Sequence, residues 1–381
     1  MNKFISIFLM ILLAGLFSGC EKKSLFTPDV EAIAAADFQQ EIDGEKTDLY
    51  TLTGEGGLAM KVTNYGARVV ALCVPDKEGK PVDVVFGYKT LQEYIDQPEA
   101  FFGAVVGRYG NRIAKGVFEL NGEVFQLPVN DGPNHLHGGP KGYFDVVWKA
   151  RQLSDSKIEF SYVSPDGEEG YPGTLQITMS YELTADNAFS VEYVATTDKA
   201  TVCNLTHHSY FNLSGEGAET INDHLLTLYA DYFTPVDSTL IPTGELASVF
   251  DTPMDFTQPM VIGERADTDF DQLNYGGGYD HNWVLNKNGE TVERAAKVES
   301  PVTGIVMDVL TDQPGIQFYG GNFLNGSAVG KKGLPYKYRS GLCLETQHFP
   351  DSPNKPDFPS TTLLPGEQYT HRCVYKFSTN K

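Results

Sequence analysis

Apolar and polar residues alternate along most of the chain, which is the pattern of a β-strand with one face buried. In TLQITMSYEL every second residue from Leu175 to Leu183 is apolar, and after the turn TADNA the alternation resumes from Phe189 to Ala195. This spacing predicts a β-hairpin. The segment VFELNGEVFQL predicts a second one, because the Asn121-Gly122 pair at its centre is a strong signal for a two-residue hairpin turn.

Helical periodicity is confined to short stretches, of which TLQEYID (residues 90–96) predicts a helical turn. The chain has 38 Gly and 21 Pro, and it is rich in Tyr and Phe. Together these features favour an all-β fold, a large antiparallel β-sandwich, over an α/β fold. The sequence shows no internal repeat and no interdomain linker, so we expect one domain over residues 37–381.

The first twenty residues, MNKFISIFLMILLAGLFSGC, have the layout of an export signal: a positive start, a short apolar run and small residues before Cys20. LFSGC resembles a bacterial lipobox, so we predict a signal peptide at 1–19, lipidation of Cys20 and a tether at 20–36. The alternative is an ordinary signal peptide with an incidental cysteine. The expected location is an exported protein, lipid-anchored to a bacterial membrane and facing the periplasm or the surface.

The chain carries 29 Lys and Arg against 50 Asp and Glu, a net charge of −21. Such a surface repels nucleic acid and anionic lipid, so contact with a membrane is expected only through the anchor. A neutral small substrate suits this charge better than a phosphorylated one. Cys73, Cys203, Cys343 and Cys373 lie in apolar runs and are expected to be mostly free, although disulfides among them would suit an oxidising compartment.

Two segments carry polar residues that strand packing alone does not require. In GRYGNRI (107–113), Asn111 and Arg112 on a Gly-rich bend can hydrogen-bond to hydroxyl groups, or Arg112 can be an ordinary surface arginine. In NHLHGG (134–139), an extended chain would place His135 and His137 on one face, as in a metal site or a sugar site. The sequence nearby offers no third ligand, so zinc is weakly supported.

Two further segments add a histidine doublet and a glutamate. In THHSYFNL (206–213), His207 and His208 leave opposite faces of a strand, so at most one of them is catalytic. In GLCLETQHF (341–349), Glu345 lies on an apolar strand, where a carboxylate without a partner is costly, and this indicates a cleft. Glu345 with Asp280 could also form the carboxylate pair of a glycoside hydrolase.

Eight strings in order resemble the galactose mutarotases, or aldose 1-epimerases, over about residues 37–378. They are NYGARVVALCVPDKEGK, FGYKTLQEY, GRYGNRIAKGVFELNG, NHLHGG, THHSYFNLSG, YDHNWVL, GIQFYGGNFLNG and LETQHFPDSPN. The resemblance implies a galactose mutarotase-like supersandwich, in agreement with the alternation. It also implies an isomerase that interconverts the α and β anomers of free aldoses such as D-glucose and D-galactose.

The resemblance assigns roles to matching positions. His208 corresponds to the general acid and Glu345 to the general base. The substrate-binding positions it implies are Asn111, Arg112, His137, Ser209, Tyr210, Asp280 and Gln317.

The chemistry needs neither a redox cofactor nor a catalytic metal, because one group takes the proton of O1 while another protonates O5. Some members of the family are associated with calcium, which leaves a bound ion open, although the sequence has no EF-hand-like loop. A monomer is expected. The alternatives are a non-catalytic carbohydrate-binding lipoprotein and a hexose-phosphate epimerase, which would require a basic cluster.

Overall fold

The structure is a computed structural model that describes residues 24–97, 101–289 and 291–380. In these residues the helices are α1 (Pro28–Glu31), α2 (Leu91–Asp96), α3 (Ile262–Arg265) and α4 (Asp271–Gly276), with 3₁₀ turns at Ala35–Phe38, Ala114–Gly116, Tyr143–Asp145, Glu168–Gly170 and Ser352–Asn354. The strands, in chain order, are β1 (Glu41–Ile42), β2 (Glu45–Lys46), β3 (Leu49–Thr53), β4 (Ala59–Thr63), β5 (Val69–Pro75), β6 (Pro81–Asp83), β7 (Ala104–Val106), β8 (Arg112–Ile113), β9 (Val117–Leu120), β10 (Glu123–Gln126), β11 (His135–Leu136), β12 (Lys149–Gln152), β13 (Lys157–Ser164), β14 (Leu175–Leu183), β15 (Ala188–Thr197), β16 (Thr201–Val202), β17 (Thr206–His208), β18 (Leu225–Leu228), β19 (Tyr232–Thr234), β20 (Ala247–Ser248), β21 (Met260–Val261), β22 (Asp280–Val284), β23 (Glu293–Glu299), β24 (Ile305–Thr311), β25 (Gly315–Tyr319), β26 (Cys343–Gln347), β27 (Thr362–Leu363) and β28 (Tyr369–Thr379).

Three sheets form the body of the fold. The largest has nine strands in the order β12-β13-β14-β15-β28-β24-β23-β18-β21. A five-stranded sheet runs β20-β19-β22-β25-β26, and a four-stranded sheet runs β3-β4-β5-β6. Side chains from all three, among them Val62, Val191 and Phe318, meet in one buried apolar cluster. The predicted all-β antiparallel sandwich is therefore confirmed.

Both predicted hairpins are present. Strands β14 and β15 pair from Leu175 opposite Thr197 to Leu183 opposite Phe189, and the buried side chains of β14 alternate with more exposed ones. Strands β9 and β10 pair around Asn121 and Gly122, which both have positive φ, as a two-residue turn of type I′ requires. The helical turn at 90–96 is α2, which begins with a capping box between Thr90 and Glu93.

The N-terminal segment differs in part from the predicted tether. Thr27 caps α1, Pro28 is its first residue, and Val30 is buried against the four-stranded sheet. Ile33 is buried as well, and its carbonyl accepts a 2.6 Å hydrogen bond from Lys61 Nζ. Because these apolar side chains pack, the folded unit begins before residue 37. The signal peptide and Cys20 lie outside the described residues.

Two further observations concern membranes and cysteines. Within the part of the chain that the structure describes, none of the helices is both long enough and apolar enough to span a bilayer. Cys73, Cys203, Cys343 and Cys373 are all buried and free, as the apolar runs around them predict.

Candidate active site

A histidine and a glutamate meet in a buried cavity. His208 ends β17, which pairs with β7, and Glu345 is the middle residue of β26. His208 Nε2 lies 3.6 Å from Glu345 Oε1, and the two side chains are only 5 % and 2 % exposed. Glu345 Oε2 is buried without a hydrogen-bond partner among the described residues. A carboxyl oxygen in that state is available to a ligand hydroxyl.

Strand geometry separates the two histidines as predicted. His207 turns to the core, where its Nδ1 lies 3.2 Å from the Tyr181 hydroxyl and its Nε2 lies 2.7 Å from Ser209 Oγ. The ring of Phe189 packs edge-on against His207. Ser209, predicted to bind substrate, therefore points away from the cavity and supports His207 instead.

His137 reaches the cavity from an unexpected backbone conformation. Strand β11 ends at Leu136, and His137 has φ of 53°. Its Nδ1 accepts a 3.1 Å hydrogen bond from the backbone N–H of Asn111, so the proton of the neutral ring is on Nε2, which is a donor. The predicted shared face of His135 and His137 is wrong because the extended chain stops between them. His135 instead lies 2.6 Å from the Tyr171 hydroxyl, within a separate apolar cluster.

Arg112 and Asp280 add charge to the cavity. Arg112 Nε donates to Asp131 Oδ2 at 2.7 Å, and its Nη1 lies 3.9 Å from Asp280 Oδ2. Asp280 Oδ1 accepts a 2.7 Å hydrogen bond from Gln317 Nε2, so Gln317 orients Asp280 and is not among the residues that line the cavity. Asp131 was not predicted from the sequence, although a buried guanidinium such as that of Arg112 needs a carboxylate partner.

Aromatic rings complete the catalytic cavity, which has a volume of about 140 Å³. Phe101 packs on His137 and His208, with ring centroids 4.9 Å and 5.6 Å away. Tyr210, predicted to bind substrate, lines the cavity beside His208. Phe101, Tyr319 and Phe323 were not predicted from the sequence to line the cavity. The catalytic cavity is lined by Phe101, Asn111, Arg112, Leu136, His137, His208, Tyr210, Asp280, Tyr319, Phe323 and Glu345.

Burial governs protonation in this cavity. Desolvation raises the pKa of Glu345 well above its usual range; the nearby Asp280 carboxyl adds to this, while Arg112 opposes it. Desolvation lowers the pKa of His208 to about 4. Burial thus favours the neutral form of both groups, a protonated Glu345 carboxyl beside a neutral His208 ring. Desolvation and the neighbouring His208 lower the pKa of His137 well below its usual value.

The same groups test whether the cavity suits a metal ion. One ligand atom each from His137, His208 and Glu345 can be chosen within 4.8 Å of one another. His137 presents an N–H through Nε2, however, so that atom has no lone pair for a metal. Calcium requires six to eight oxygen ligands and does not suit a group with two imidazoles. This cluster therefore fits a substrate with hydroxyl and ring oxygens better than a metal ion.

Comparison with known proteins agrees with the arrangement. Residues 48–376 match the family model described as aldose 1-epimerase. The chain is 47 % identical to the galactose mutarotase of Bos taurus over 84 % of this chain and 91 % of that protein. It is 38 % identical to the aldose 1-epimerase of Escherichia coli over 88 % of this chain and 96 % of that protein. The chain belongs to the aldose 1-epimerase family.

Solved structures of this family share the fold. An aldose epimerase homologue from C. elegans superposes with a TM-score of 0.79 at 31 % identity, over 88 % of this chain and 100 % of that one. A galactose 1-epimerase from Lactobacillus acidophilus gives 0.79 at 30 % identity, over 90 % and 97 % of the two chains. The aldose 1-epimerase family resemblance seen in the eight strings is thus confirmed.

Proposed function

We propose that this protein is an aldose 1-epimerase that interconverts the α and β anomers of free aldoses, D-glucose and D-galactose among them, by acid–base opening and closing of the ring. The observation that carries the proposal is the His208–Glu345 pair, whose facing atoms lie 3.6 Å apart in a buried cavity. The ring oxygen O5 and the anomeric oxygen O1 of an aldose are bonded to the same carbon. Two neighbouring proton carriers can therefore each meet one of them.

The reaction requires that His208 and Glu345 together hold one proton, which is on Glu345 at the start. Transfer of the proton of Glu345 to His208 Nε2 makes a carboxylate and an imidazolium. Glu345 then takes the proton of O1 while His208 protonates O5; the C1–O5 bond breaks and O1 becomes the aldehyde oxygen. The open-chain sugar thus faces a neutral Glu345 and a neutral His208, the protonation state that burial favours in the empty site.

Closure reverses these steps. Rotation about the C1–C2 bond presents the other face of the aldehyde, the O5 hydroxyl returns its proton to His208 and attacks C1, and Glu345 protonates O1. The product is the opposite anomer and the pair regains its starting form. A well-placed acid and base each contribute roughly 10² to 10⁴ in rate.

The surrounding groups suit the remaining hydroxyls. Arg112 and the Nε2–H of His137 donate hydrogen bonds, Asp280 accepts them, and the rings of Phe101 and Tyr319 offer apolar faces to C–H groups. Asn111 supports His137 through its backbone N–H, and its Oδ1 accepts from the backbone N–H of Arg112 at 2.9 Å. We assign Asn111 to holding these two side chains.

A phosphorylated aldose is a weaker candidate substrate. Among the lining residues of the catalytic cavity Arg112 is the one arginine or lysine, and it is paired with Asp131. The two lining carboxyls, together with a chain charge of −21, disfavour a phosphate group.

Export and lipidation form a separate part of the proposal. We propose that residues 1–19 are removed and that Cys20 carries lipid, and LFSGC supports both steps. We also propose a monomer. Incorporation of labelled fatty acid into the wild-type protein but not into Cys20→Ala tests the anchor, and sedimentation of the chain from residue 24 tests the monomer.

Polarimetry tests the activity. Addition of the protein to freshly dissolved α-D-glucose or α-D-galactose is expected to accelerate the approach to equilibrium rotation, and Glu345→Gln is expected to remove most of the acceleration. Sugar binding without any acceleration by the wild-type protein would instead identify a carbohydrate-binding lipoprotein.

A further inference from the structure

Both ring nitrogens of His208 face side chains of strand β26. His208 Nε2 lies 3.6 Å from Glu345 Oε1, and His208 Nδ1 lies 3.6 Å from Cys343 Sγ. Cys343 and Glu345 are two positions apart in β26, so their side chains leave the same face of the strand. The imidazole of His208 therefore lies between two side chains of one strand, of which only Glu345 takes part in the proton transfers.

The contact between Cys343 and His208 has the length of a hydrogen bond to sulfur. A thiol is a weak donor and a weak acceptor, and its contacts are longer than those between nitrogen and oxygen because sulfur is larger. Cys343 is fully buried, and among the described residues its sulfur is the one side-chain atom within hydrogen-bond distance of His208 Nδ1. Cys343 does not line the catalytic cavity, so the thiol meets the ring of His208 rather than the sugar.

Three other titratable side chains act on the ring of His208. The rings of His137 and Tyr210 each have their centroids 5.1 Å from that of His208. Desolvation is the main cause that lowers the pKa of His208, and the positive charge of Arg68 adds to it. Within the described part of the chain, none of these three side chains hydrogen-bonds to a nitrogen of His208. Cys343 and Glu345 therefore determine how the ring is oriented.

The proton of the neutral His208 ring is on Nδ1. A hydrogen bond between the ring and the backbone of His208 itself opposes the lowering of its pKa by desolvation. A bond with this effect is one in which the ring donates to the carbonyl, and Nδ1 is the ring nitrogen close enough to do so. Nε2 then offers its lone pair to the protonated carboxyl of Glu345. Because both nitrogens carry a proton in the imidazolium, Nδ1 keeps its proton throughout the reaction.

Cys343 can accept from this N–H without bringing a charge. Desolvation raises the pKa of the Cys343 thiol well above its usual range, and the carboxyls of Glu345 and Asp280 add to this, so the thiol stays neutral. A carboxylate in its place would repel the carboxylate that Glu345 becomes when its proton moves to His208. The contact also limits rotation of the ring about χ2, a torsion that is broadly populated in histidine.

We propose that Cys343 is a positioning residue, which holds the imidazole of His208 through Nδ1 so that Nε2 faces Glu345 and the ring oxygen of the sugar. The inference rests on the proposed function, in which His208 Nε2 carries the proton to O5. Without the sulfur, the ring can rotate or can move its proton from Nδ1 to Nε2, and either change removes the lone pair of Nε2 from the transfer. Sugar binding should depend little on Cys343, because the thiol does not line the catalytic cavity.

Polarimetry on three variants tests the effect on the reaction. Cys343→Ala removes the sulfur, and Cys343→Ser replaces it by a hydroxyl that can accept from the Nδ1–H of His208. Cys203→Ala is the matched control, since Cys203 is also buried and lies outside the lining of the catalytic cavity. With folding verified by circular dichroism, we expect Cys343→Ala to lower kcat for α-D-galactose by about 10- to 100-fold with KM little changed. Cys343→Ser should keep most of the wild-type kcat, and Cys203→Ala should leave it unchanged.

Nitrogen NMR of protein labelled in the histidine rings tests the contact itself. The signals of His208 are those that disappear in His208→Asn. At pH 7 the wild-type protein should show a protonated Nδ1 and an unprotonated Nε2, and Cys343→Ala should bring the two signals closer together, because the ring then exchanges its proton between the two nitrogens. Wild-type kcat and wild-type signals in a folded Cys343→Ala protein would overturn the inference. Equal losses of kcat in Cys343→Ala and Cys343→Ser, or a wild-type ring protonated on Nε2, would do the same.

The two measurements also separate this inference from the proposed function. If the wild-type protein did not accelerate the mutarotation of galactose, the proposed function would be rejected. The NMR signals of His208 do not depend on activity, and they test the contact with Cys343 in either case.

Discussion

His208 Nε2 and Glu345 Oε1 face each other at 3.6 Å, and burial opposes the ionisation of both, because it lowers the pKa of His208 to about 4 and raises the pKa of Glu345 well above its usual range. The neutral pair carries one proton, the number that the pair carries during the reaction. It also has the same charges that the two groups have when the sugar is in its open-chain form. A cavity arranged in this way stabilises the neutral pair that accompanies the aldehyde.

The pKa values of His208 and Glu345 set the pH dependence of the reaction. The pair carries one proton between the lowered pKa of His208, about 4, and the raised pKa of Glu345. Below the lower limit both groups are protonated and no base remains, whereas above the upper limit neither can act as an acid. We expect kcat/KM, after subtraction of the buffer-catalysed rate, to fall below about pH 4 and to stay level above it up to the raised pKa of Glu345. An acid limb near 6.5, where an unperturbed histidine titrates, would contradict this assignment, provided that circular dichroism shows the protein folded.

The histidine doublet allows a matched comparison of a structural and a catalytic residue. His207→Phe removes the hydrogen bonds that His207 makes with Ser209 Oγ and with the Tyr181 hydroxyl, which keeps its bond to the Ala67 carbonyl, so we expect a loss of about 1–3 kcal/mol in the free energy of unfolding. The folded variant should keep most of its kcat. His208→Asn should show the reverse, a large loss of kcat with a smaller loss of stability. Urea unfolding and polarimetry on both variants make the comparison, and equal effects of the two changes on kcat would contradict it.

The stability effect of His207 should also depend on pH. Burial, and secondarily the neighbouring His208, lowers the pKa of His207 to about 3 in the folded protein, whereas the unfolded chain has the ordinary value near 6.5. Between these values the unfolded state binds the extra proton, so the stability contributed by His207 is present above about pH 6.5 and is lost as pH falls towards 3. The destabilisation caused by His207→Phe should therefore be largest at pH 7, decrease by about 1.4 kcal/mol per pH unit below 6 and change sign before pH 3 is reached. A difference that is constant from pH 7 to pH 5 would show that His207 is not buried as a neutral ring.

Asp131 is expected to act through Arg112. Its carboxylate receives the Nε–H of Arg112 at 2.7 Å, but its side chain is 36 % exposed, so solvent weakens the pair. Asp131→Asn should raise KM by up to about tenfold, corresponding to about 1.4 kcal/mol, with little change in kcat. Asp145, which lies outside the lining of the catalytic cavity and accepts a hydrogen bond from Tyr65, provides a control position. A loss confined to kcat in Asp131→Asn would show that Arg112 is positioned by other groups.

The strands and the division of the histidine doublet could be predicted because both depend on an alternation that is local in the sequence. Glu345 could be predicted as a site residue because a carboxyl among leucines on a strand needs a reason. The position of His137 could not, because its left-handed backbone at the end of β11 cancels the alternation that pairs it with His135. Asp131 and Phe323 also escaped prediction, since each lies in a loop whose path depends on distant contacts.

The central claim is that His208 and Glu345 act as one unit that shares a proton. Polarimetry of α-D-galactose with Glu345→Gln, with His208→Asn and with the double variant tests it most directly. If the pair is one unit, each single change should lower kcat by at least about 10²-fold, and the double variant should be about as slow as either single variant. Unchanged rates in both single variants, or a double variant slowed by the product of the two single losses, would contradict the claim.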